Sequence, residues 1–237
     1  MKKTGARRLC VALACVLLNC VSGCIPSGGS SSSAKEGASA CSEHEPLISV
    51  DPDVVDKPVI YLYPPQDLTV TVSLNFDGEL TCTYPAAPQG VWRVMAHPDG
   101  TLTDPDSGLT YGYLFWEGQT RADMDFTEGF VVKGADTAAF LDEKLSLLGL
   151  NARERTDFVT YWLPRMQKNA YNLISFQRES YEAMARLTID PQPDSLLRVF
   201  MAYRPLEHPV DVPEQELESF TRSGFTAVEW GGTEIRN

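Results

Sequence analysis

The chain has 237 residues, of which 20 are Lys or Arg and 32 are Asp or Glu, and its formal net charge is −12. Such an acidic surface repels nucleic acid and anionic lipid headgroups, so we exclude nucleic acid as a partner. With three histidines in the whole chain there is little room for a histidine-based metal site, and we expect neither a metal nor another cofactor.

The first 23 residues have the order of an export signal. Four basic residues, at positions 2, 3, 7 and 8, precede an apolar run over residues 9–21. The run is shorter than the about 20 residues of a transmembrane helix, which predicts a cleaved signal peptide. The sequence Val21-Ser22-Gly23-Cys24 resembles the bacterial lipobox, which implies lipidation of Cys24. A secretory signal without a lipid is the alternative.

The next segment, residues 24–42, is rich in serine and glycine and has little to bury, so we predict a flexible tether. The globular part, residues 43–237, would then face the extracytoplasmic space of the cell envelope, held to the bilayer by the lipid on Cys24. Its length suits one domain. Two packed lobes that divide near residue 133 are the alternative.

The first half of this domain has the patterns of antiparallel β-structure. We predict five strands, over residues 59–63, 68–74, 79–84, 92–97 and 110–116. Asp77 and Gly78 lie between the second and third strands and predict a hairpin turn. The register that matches the apolar faces sets Val72 opposite Cys82, with both side chains in the core.

Cysteine usage gives little evidence of a disulfide framework. Three of the six cysteines fall within the predicted signal peptide and a fourth is Cys24, which leaves Cys41 and Cys82. An exported location permits a disulfide between these two. We favour a buried free thiol at Cys82, because the hairpin register points its side chain into the core.

The second half mixes helices and strands. Asp136 can cap a helix that Gly149 ends, and Asn151 and Glu154 have the spacing of a capping box that opens a second helix. Residues 158–163 continue that helix or turn extended. Further strands are predicted over residues 171–176, 196–203 and 225–230, with a short acidic helix near Pro213. The order of elements predicts an α+β fold with an antiparallel, sandwich-like first half.

Five short segments stand out in the domain: KPVIYLYP at residues 57–64, YLFWE at 113–117, YWLP at 161–164, LISF at 173–176 and EWGG at 229–232. Together they resemble a family of uncharacterised exported bacterial proteins, and the resemblance covers nearly the whole domain. No activity is established for that family. The resemblance therefore supports a bacterial, surface-attached protein and implies no catalytic residue.

Common catalytic motifs are absent from the sequence, including the nucleophile elbow and the phosphate-binding glycine loop. The remaining enzymatic hypothesis is glycoside hydrolysis by Glu117 and Glu229, because two carboxyl groups beside aromatic walls are what that reaction needs. Trp116 and Trp230 would supply the walls. The protein is more simply explained as a non-enzyme, since nothing in the sequence requires proton transfer.

A binding domain uses the same residues without any covalent chemistry. Trp116, Trp162 and Trp230 could present flat apolar faces. Hydrogen bonds to a sugar or a peptide could come from Glu117, Asp123 and Arg165, and Glu229 beside Trp230 is a further candidate binding residue. A structural or assembly role in the cell envelope is the other alternative, because a core of this size also needs large aromatic residues. The sequence leads us to expect a surface lipoprotein that binds a glycan or a protein.

Overall fold

The computed structural model of the chain describes residues 53–121 and 123–236. The predicted signal peptide, Cys24, Cys41 and the tether lie outside these residues. Within them the chain forms twelve strands and three α-helices. The strands are β1 (Asp53–Tyr63), β2 (Leu68–Phe76), β3 (Glu79–Tyr84), β4 (Val91–Ala96), β5 (Leu102–Thr103), β6 (Thr110–Tyr111), β7 (Leu114–Thr120), β8 (Phe130–Lys133), β9 (Tyr171–Gln177), β10 (Ala185–Asp190), β11 (Ser195–Leu206) and β12 (Thr226–Glu234). The helices are α1 (Thr137–Leu147), α2 (Ala152–Met166) and α3 (Glu179–Met184).

The strands form two sheets, and the predicted α+β class is confirmed. The larger sheet has seven strands in the order β3-β7-β1-β12-β11-β9-β8, and the smaller has five in the order β10-β2-β4-β5-β6. Neighbouring strands are antiparallel except β11 and β12, which are parallel. Strands from both sides of residue 133 share the larger sheet, so the chain does not divide into two lobes there.

Two hydrophobic cores lie on the two faces of the seven-stranded sheet. The first lies between the sheets and includes Trp92 and Trp116. The second lies between the larger sheet and the helices α1 and α2, and includes Trp162 and Trp230. The domain is therefore built in three layers, with the larger sheet in the middle. In the described ranges, none of the helices is long and apolar enough to cross a membrane.

The predicted hairpin is wrong in its pairing, although both of its segments are strands. β2 pairs with β4 and β10, whereas β3 pairs with β7 in the other sheet. Cys82 is consequently exposed rather than buried, and it lies opposite Glu117 on the neighbouring strand. The alternating pattern of a half-buried strand fits either sheet, so it predicted the strands without identifying their partners.

Local signals located the ends of α1 and α2 correctly, although the Asp136 side chain makes no capping hydrogen bond at the start of α1. The Asn151 side chain accepts a hydrogen bond from the Glu154 N–H at 3.0 Å, and the Glu154 carboxylate accepts one from the Asn151 N–H at 2.8 Å. This capping box opens α2. Residues 158–163 continue the helix rather than turning extended. The helix also includes Pro164 and ends at Met166. Gly149 has the positive φ, 96°, expected of a residue that ends a helix.

The acidic helix predicted near Pro213 is wrong, because this segment is irregular and is held by hydrogen bonds to its neighbours. The Pro213 C=O accepts from the Gly129 N–H at 2.9 Å. The Gln215 amide bonds both peptide groups of Phe176, accepting from the N–H at 2.9 Å and donating to the C=O at 2.8 Å. The sequence also left β5, β8, β10 and α3 unpredicted. The single strand predicted over residues 110–116 is two strands, β6 and β7, which belong to different sheets.

Candidate functional site

One edge of β11 is open over part of its length. On one side β11 pairs with β12 from Ser195 to Tyr203. On the other side it pairs with β9 only from Phe200 onward, because the chain leaves β9 at Gln177 and enters α3. Among the residues that the structure describes, no strand covers residues 195–199 on this side. We call these residues the open edge.

The backbone of the open edge offers hydrogen-bonding groups. The Ser195 N–H donates to the Phe225 C=O at 3.1 Å, toward β12. Successive peptide groups of a strand point to opposite sides, so the N–H and C=O groups of Leu196 and Arg198 point away from β12. Leu196 is 40% exposed. The open edge therefore combines outward peptide groups with an exposed apolar side chain.

A cleft of about 350 Å³ runs along the open edge. This volume lies within the range of about 300 to 1,000 Å³ that is typical of ligand sites. The two sides of the cleft differ in character. The wall on the helix side of the sheet is apolar, with Leu148, Leu217 and Phe220, and the opposite wall is charged, with Arg178, Glu182 and Arg198.

An ion pair between β11 and β12, on the face of the larger sheet that meets the smaller sheet, fixes the charged wall. Glu229 is completely buried. Its Oε2 accepts a hydrogen bond from Arg198 Nε at 2.7 Å, and its Oε1 accepts one from Trp116 Nε1 at 3.0 Å. Burial opposes the charge on Arg198, but the Glu229 carboxylate outweighs it and raises the pKa of the guanidinium. Arg198 is therefore a permanent cation, 7% exposed at its side chain.

Tyr181 supports this pair from the other side. The Arg198 guanidinium lies 4.5 Å from the centre of the Tyr181 ring, which in turn stacks on Phe200 at 4.2 Å. Burial, with the negative charge of Glu229 as the second cause, raises the pKa of Tyr181 well above its usual value. The tyrosine hydroxyl thus keeps its proton. The stack leaves the guanidinium little freedom to rotate.

The three tryptophans predicted to form a binding surface are all fully buried. Trp116 belongs to the core between the sheets, whereas Trp162 and Trp230 belong to the core beneath the helices. The expectation that these rings present flat faces to a ligand is therefore wrong. Their physical role is to fill the two cores, which need large side chains to close the space between layers.

The structure does not bring Glu117 and Glu229 together. Trp116 reaches Glu229 on the face of the larger sheet that meets the smaller sheet. Glu117 is the next residue of β7, and successive side chains of a strand point to opposite faces. The carboxylate pair considered for glycoside hydrolysis is thus separated by the sheet itself.

Glu117 belongs instead to a polar group at a bulge in β1. Lys57 occupies this bulge with a positive φ of 55°, and its Nζ donates to the Tyr113 hydroxyl at 3.1 Å. The same Nζ lies 5.7 Å from the centre of the Tyr161 ring. Burial, and secondarily the charge of Glu117, raise the pKa of Asp56. In the described part of the chain no group of three or more acidic, histidine or cysteine side chains could hold a metal ion.

Sequence reasoning missed Arg198 and the open edge. A signal for Arg198 was present, because it is a single charge within the apolar run of residues 196–203. Such a charge requires a buried partner of opposite sign. No comparable signal exists for the open edge, since it depends on where β9 ends.

No family model matches this chain, and no solved structure matches it. A stretch of 64 residues is 48% identical to a protein of Butyrivibrio fibrisolvens described as an uncharacterised protein in the bglA 3′ region. The stretch covers 26% of this chain and 65% of that protein, which is slightly less than two thirds of its length. The relative is itself uncharacterised, so the similarity assigns no activity.

Proposed function

We propose that this chain is a lipoprotein of the bacterial cell envelope whose domain binds an extended segment of a protein partner. The observation that carries the proposal is the open edge of β11, which lies beside a cleft and, within the described residues, has no partner strand. An unpaired strand edge is a template for another extended chain, because it supplies donors and acceptors at the spacing of a strand.

Binding would occur by addition of one short strand to the larger sheet. The peptide groups of Leu196 and Arg198 would form main-chain hydrogen bonds with the bound segment. Alternate side chains of that segment would point to opposite faces. One set would contact the apolar wall that includes Leu217 and Phe220, and the other set would contact the charged wall. No covalent step is required.

The geometry favours a protein partner over a glycan. Sugar rings bind to exposed aromatic faces, whereas Trp116, Trp162 and Trp230 are buried. The separation of Glu117 from Glu229 by the sheet removes the basis of the hydrolase alternative. A main-chain edge recognises any extended peptide, and the two unlike walls of the cleft would supply selectivity.

The anchor and tether support a role at the envelope surface. The tether of residues 24–42 would hold the domain some 20 to 25 Å from the membrane by random-coil scaling. This distance is enough for the cleft to meet partners in the extracytoplasmic space. The acidic surface would keep the domain away from anionic headgroups.

The experiment removes a single N–H from the open edge. Peptides that bind the purified chain would be selected from a displayed library of random 12-residue sequences. Leu196→Pro deletes a donor that points into the cleft and leaves the β12 ladder intact. We expect it to weaken binding about 10-fold or more, the cost of an unmade buried hydrogen bond.

Leu196→Ala is the matched control, because it shortens the side chain and keeps the N–H. We expect this variant to bind within about fivefold of wild type, as expected for the loss of partly exposed apolar contact. Thermal unfolding would verify that both variants are folded. The proposal fails if the library yields no binding peptide, or if folded Leu196→Pro binds as tightly as Leu196→Ala.

A further inference from the structure

The exposed charges around the cleft are mostly negative. Three glutamates line it, Glu182 on α3 and Glu216 and Glu218 between β11 and β12, and all three are exposed. Glu216 forms no ion pair with any residue that the structure describes. These carboxylates line the same cleft as the unpaired peptide groups of the open edge, so a segment that enters the cleft to pair with the edge meets them.

The cations of the cleft are already balanced. Arg198 is paired with the buried Glu229. The exposed Arg178 lies 3.9 Å from both Glu182 and Glu218, so one cation is shared between two carboxylates. The cleft therefore keeps a net negative charge, and no free cation remains among its described lining residues.

The same charge continues into a second depression, of about 510 Å³, beside the cleft. Four residues line both depressions: Phe176, Gln177, Arg178 and Gln215. The other charged side chains of the second depression are acidic and exposed: Asp125, Glu128 and Glu179. Together the two depressions expose six carboxylates and one arginine, whereas the whole chain has 32 acidic and 20 basic residues. The excess of negative charge is thus greater here than over the chain as a whole.

We infer that the segment bound along β11 is basic, with lysine or arginine alternating with apolar residues. The inference rests on the proposed function and names the class of partner for the same site. Successive side chains of a bound strand point to opposite faces of the sheet. The apolar set contacts the wall that includes Leu217 and Phe220, and the basic set lies on the side of Glu182.

Exposed carboxylates act mainly on the rate of association. Charges at a rim steer an oppositely charged partner toward the site, and salt screens this attraction. The screening length is about 10 Å in 0.1 M salt and about 3 Å in 1 M salt. Main-chain hydrogen bonds and apolar contacts are not screened in this way. Salt therefore separates the contribution of the carboxylates from that of strand addition.

The test uses peptides selected from the 12-residue library. We expect the selected sequences to carry lysine or arginine at alternate positions between apolar residues. Replacing these basic residues by glutamine in one peptide should weaken its binding about fivefold or more at about 0.05 M salt, as measured by titration calorimetry. At about 1 M salt the two peptides should bind within about twofold of each other.

The double variant Glu216→Gln, Glu218→Gln is the protein-side probe, because it removes two exposed carboxylates from the cleft. At low salt we expect it to bind the basic peptide about three- to tenfold more weakly than wild type, chiefly through slower association. Asp106→Asn with Asp142→Asn is the matched control, since both side chains are exposed and line neither depression. The control changes the net charge equally and should bind within about twofold of wild type. Thermal unfolding would verify that both double variants are folded.

The outcomes separate this inference from the proposed function. If peptides bind but the selected sequences show no excess of basic residues, the inference is wrong and strand addition stands. If the two double variants weaken binding equally, the attraction comes from the net charge of the chain and the inference is again wrong. If no peptide binds at all, both proposals fail together.

Discussion

Glu229 and Arg198 form an ion pair that the structure removes almost completely from water, with side chains 0% and 7% exposed. Such a pair adds little net stability, because the cost of dehydrating two charges offsets their attraction. Removing one partner of the pair is strongly destabilising, because the other charge is then buried without a counter-charge. The pair therefore fixes the side chains of the charged wall on β11 and β12 more than it increases the free energy of unfolding.

Glu229→Gln should lower the free energy of unfolding by about 3 to 5 kcal/mol, because it leaves Arg198 as an uncompensated buried cation. Urea unfolding followed by far-UV circular dichroism would measure the change. Glu117→Gln is the matched control on the opposite face of the same sheet, and should change stability by less than about 1 kcal/mol. Equal effects of the two substitutions would contradict the burial difference on which the prediction depends.

Asp56 gives a prediction for pH. Its pKa is raised in the folded state above its usual value of 3.8, chiefly by burial. The folded state therefore binds this proton more readily than the unfolded chain, so the carboxyl lowers stability as pH rises above 3.8 through its folded pKa. Asp56→Asn should be more stable than wild type at pH 7, by less than about 1 kcal/mol. The difference in stability should disappear at pH values below 3.8, where the carboxyl is protonated in both the folded and the unfolded chain.

The measurement is a set of urea unfolding curves for wild type and Asp56→Asn between pH 3 and pH 7. Only the difference between the two proteins is informative, because many carboxyl groups titrate in this range. Asp142→Asn, on an exposed position of α1, serves as the control. An advantage of Asp56→Asn that persists unchanged at the lowest pH would contradict the assigned cause.

At the scale of elements, the open edge of β11 is a gap inside the larger sheet of the described residues, distinct from the outer edges at β3, β8, β10 and β6. The Gln215 side chain occupies the edge of β9 at Phe176. Beside it, the open edge of β11 faces the cleft with exposed Leu196. Exposed edges with apolar residues promote association between chains, and proteins usually cover them. An uncovered stretch of strand within a cleft is therefore better explained as a binding site for a partner.

The capping box of α2 supports a prediction at the scale of elements. Asn151→Ala removes the acceptor of the Glu154 N–H and should lower the free energy of unfolding by about 1 kcal/mol. Thr156→Ala, on the exposed side of the same helix, is the control and should be neutral or slightly stabilising. Chemical denaturation of both variants would measure the difference. An unchanged stability of Asn151→Ala would mean that solvent replaces the cap.

At the scale of the whole molecule, the proposed attachment to the membrane would depend on the first residues and not on the domain. We expect Cys24→Ala to lose incorporation of labelled palmitate when the full chain is expressed in a bacterium that processes lipoproteins. Cys20→Ala is the control, because Cys20 lies within the predicted signal and follows an asparagine. Retention of the label in Cys24→Ala would refute the proposed anchor.

Much of the fold was predictable from short windows of sequence. The strands containing residues 59–63, 171–176 and 196–203, and the capping box at Asn151, depend on alternation and on contacts a few residues apart. The pairing of β3 with β7 was not predictable in this way. A half-buried strand satisfies its pattern in any sheet, so its partner is chosen by which arrangement buries most apolar surface over the whole chain.

The features of the candidate site also fall into those that local sequence predicts and those that only tertiary contacts determine. By itself the sequence determined the α+β class, the helix ends and the presence of large aromatic residues, because these follow from local periodicity and composition. Only the tertiary structure decided that Trp116 and Trp230 face different cores, that Glu117 and Glu229 lie on opposite faces, and that β11 keeps an open edge. These features depend on strand order and on where β9 ends, and contacts between residues far apart in sequence set both.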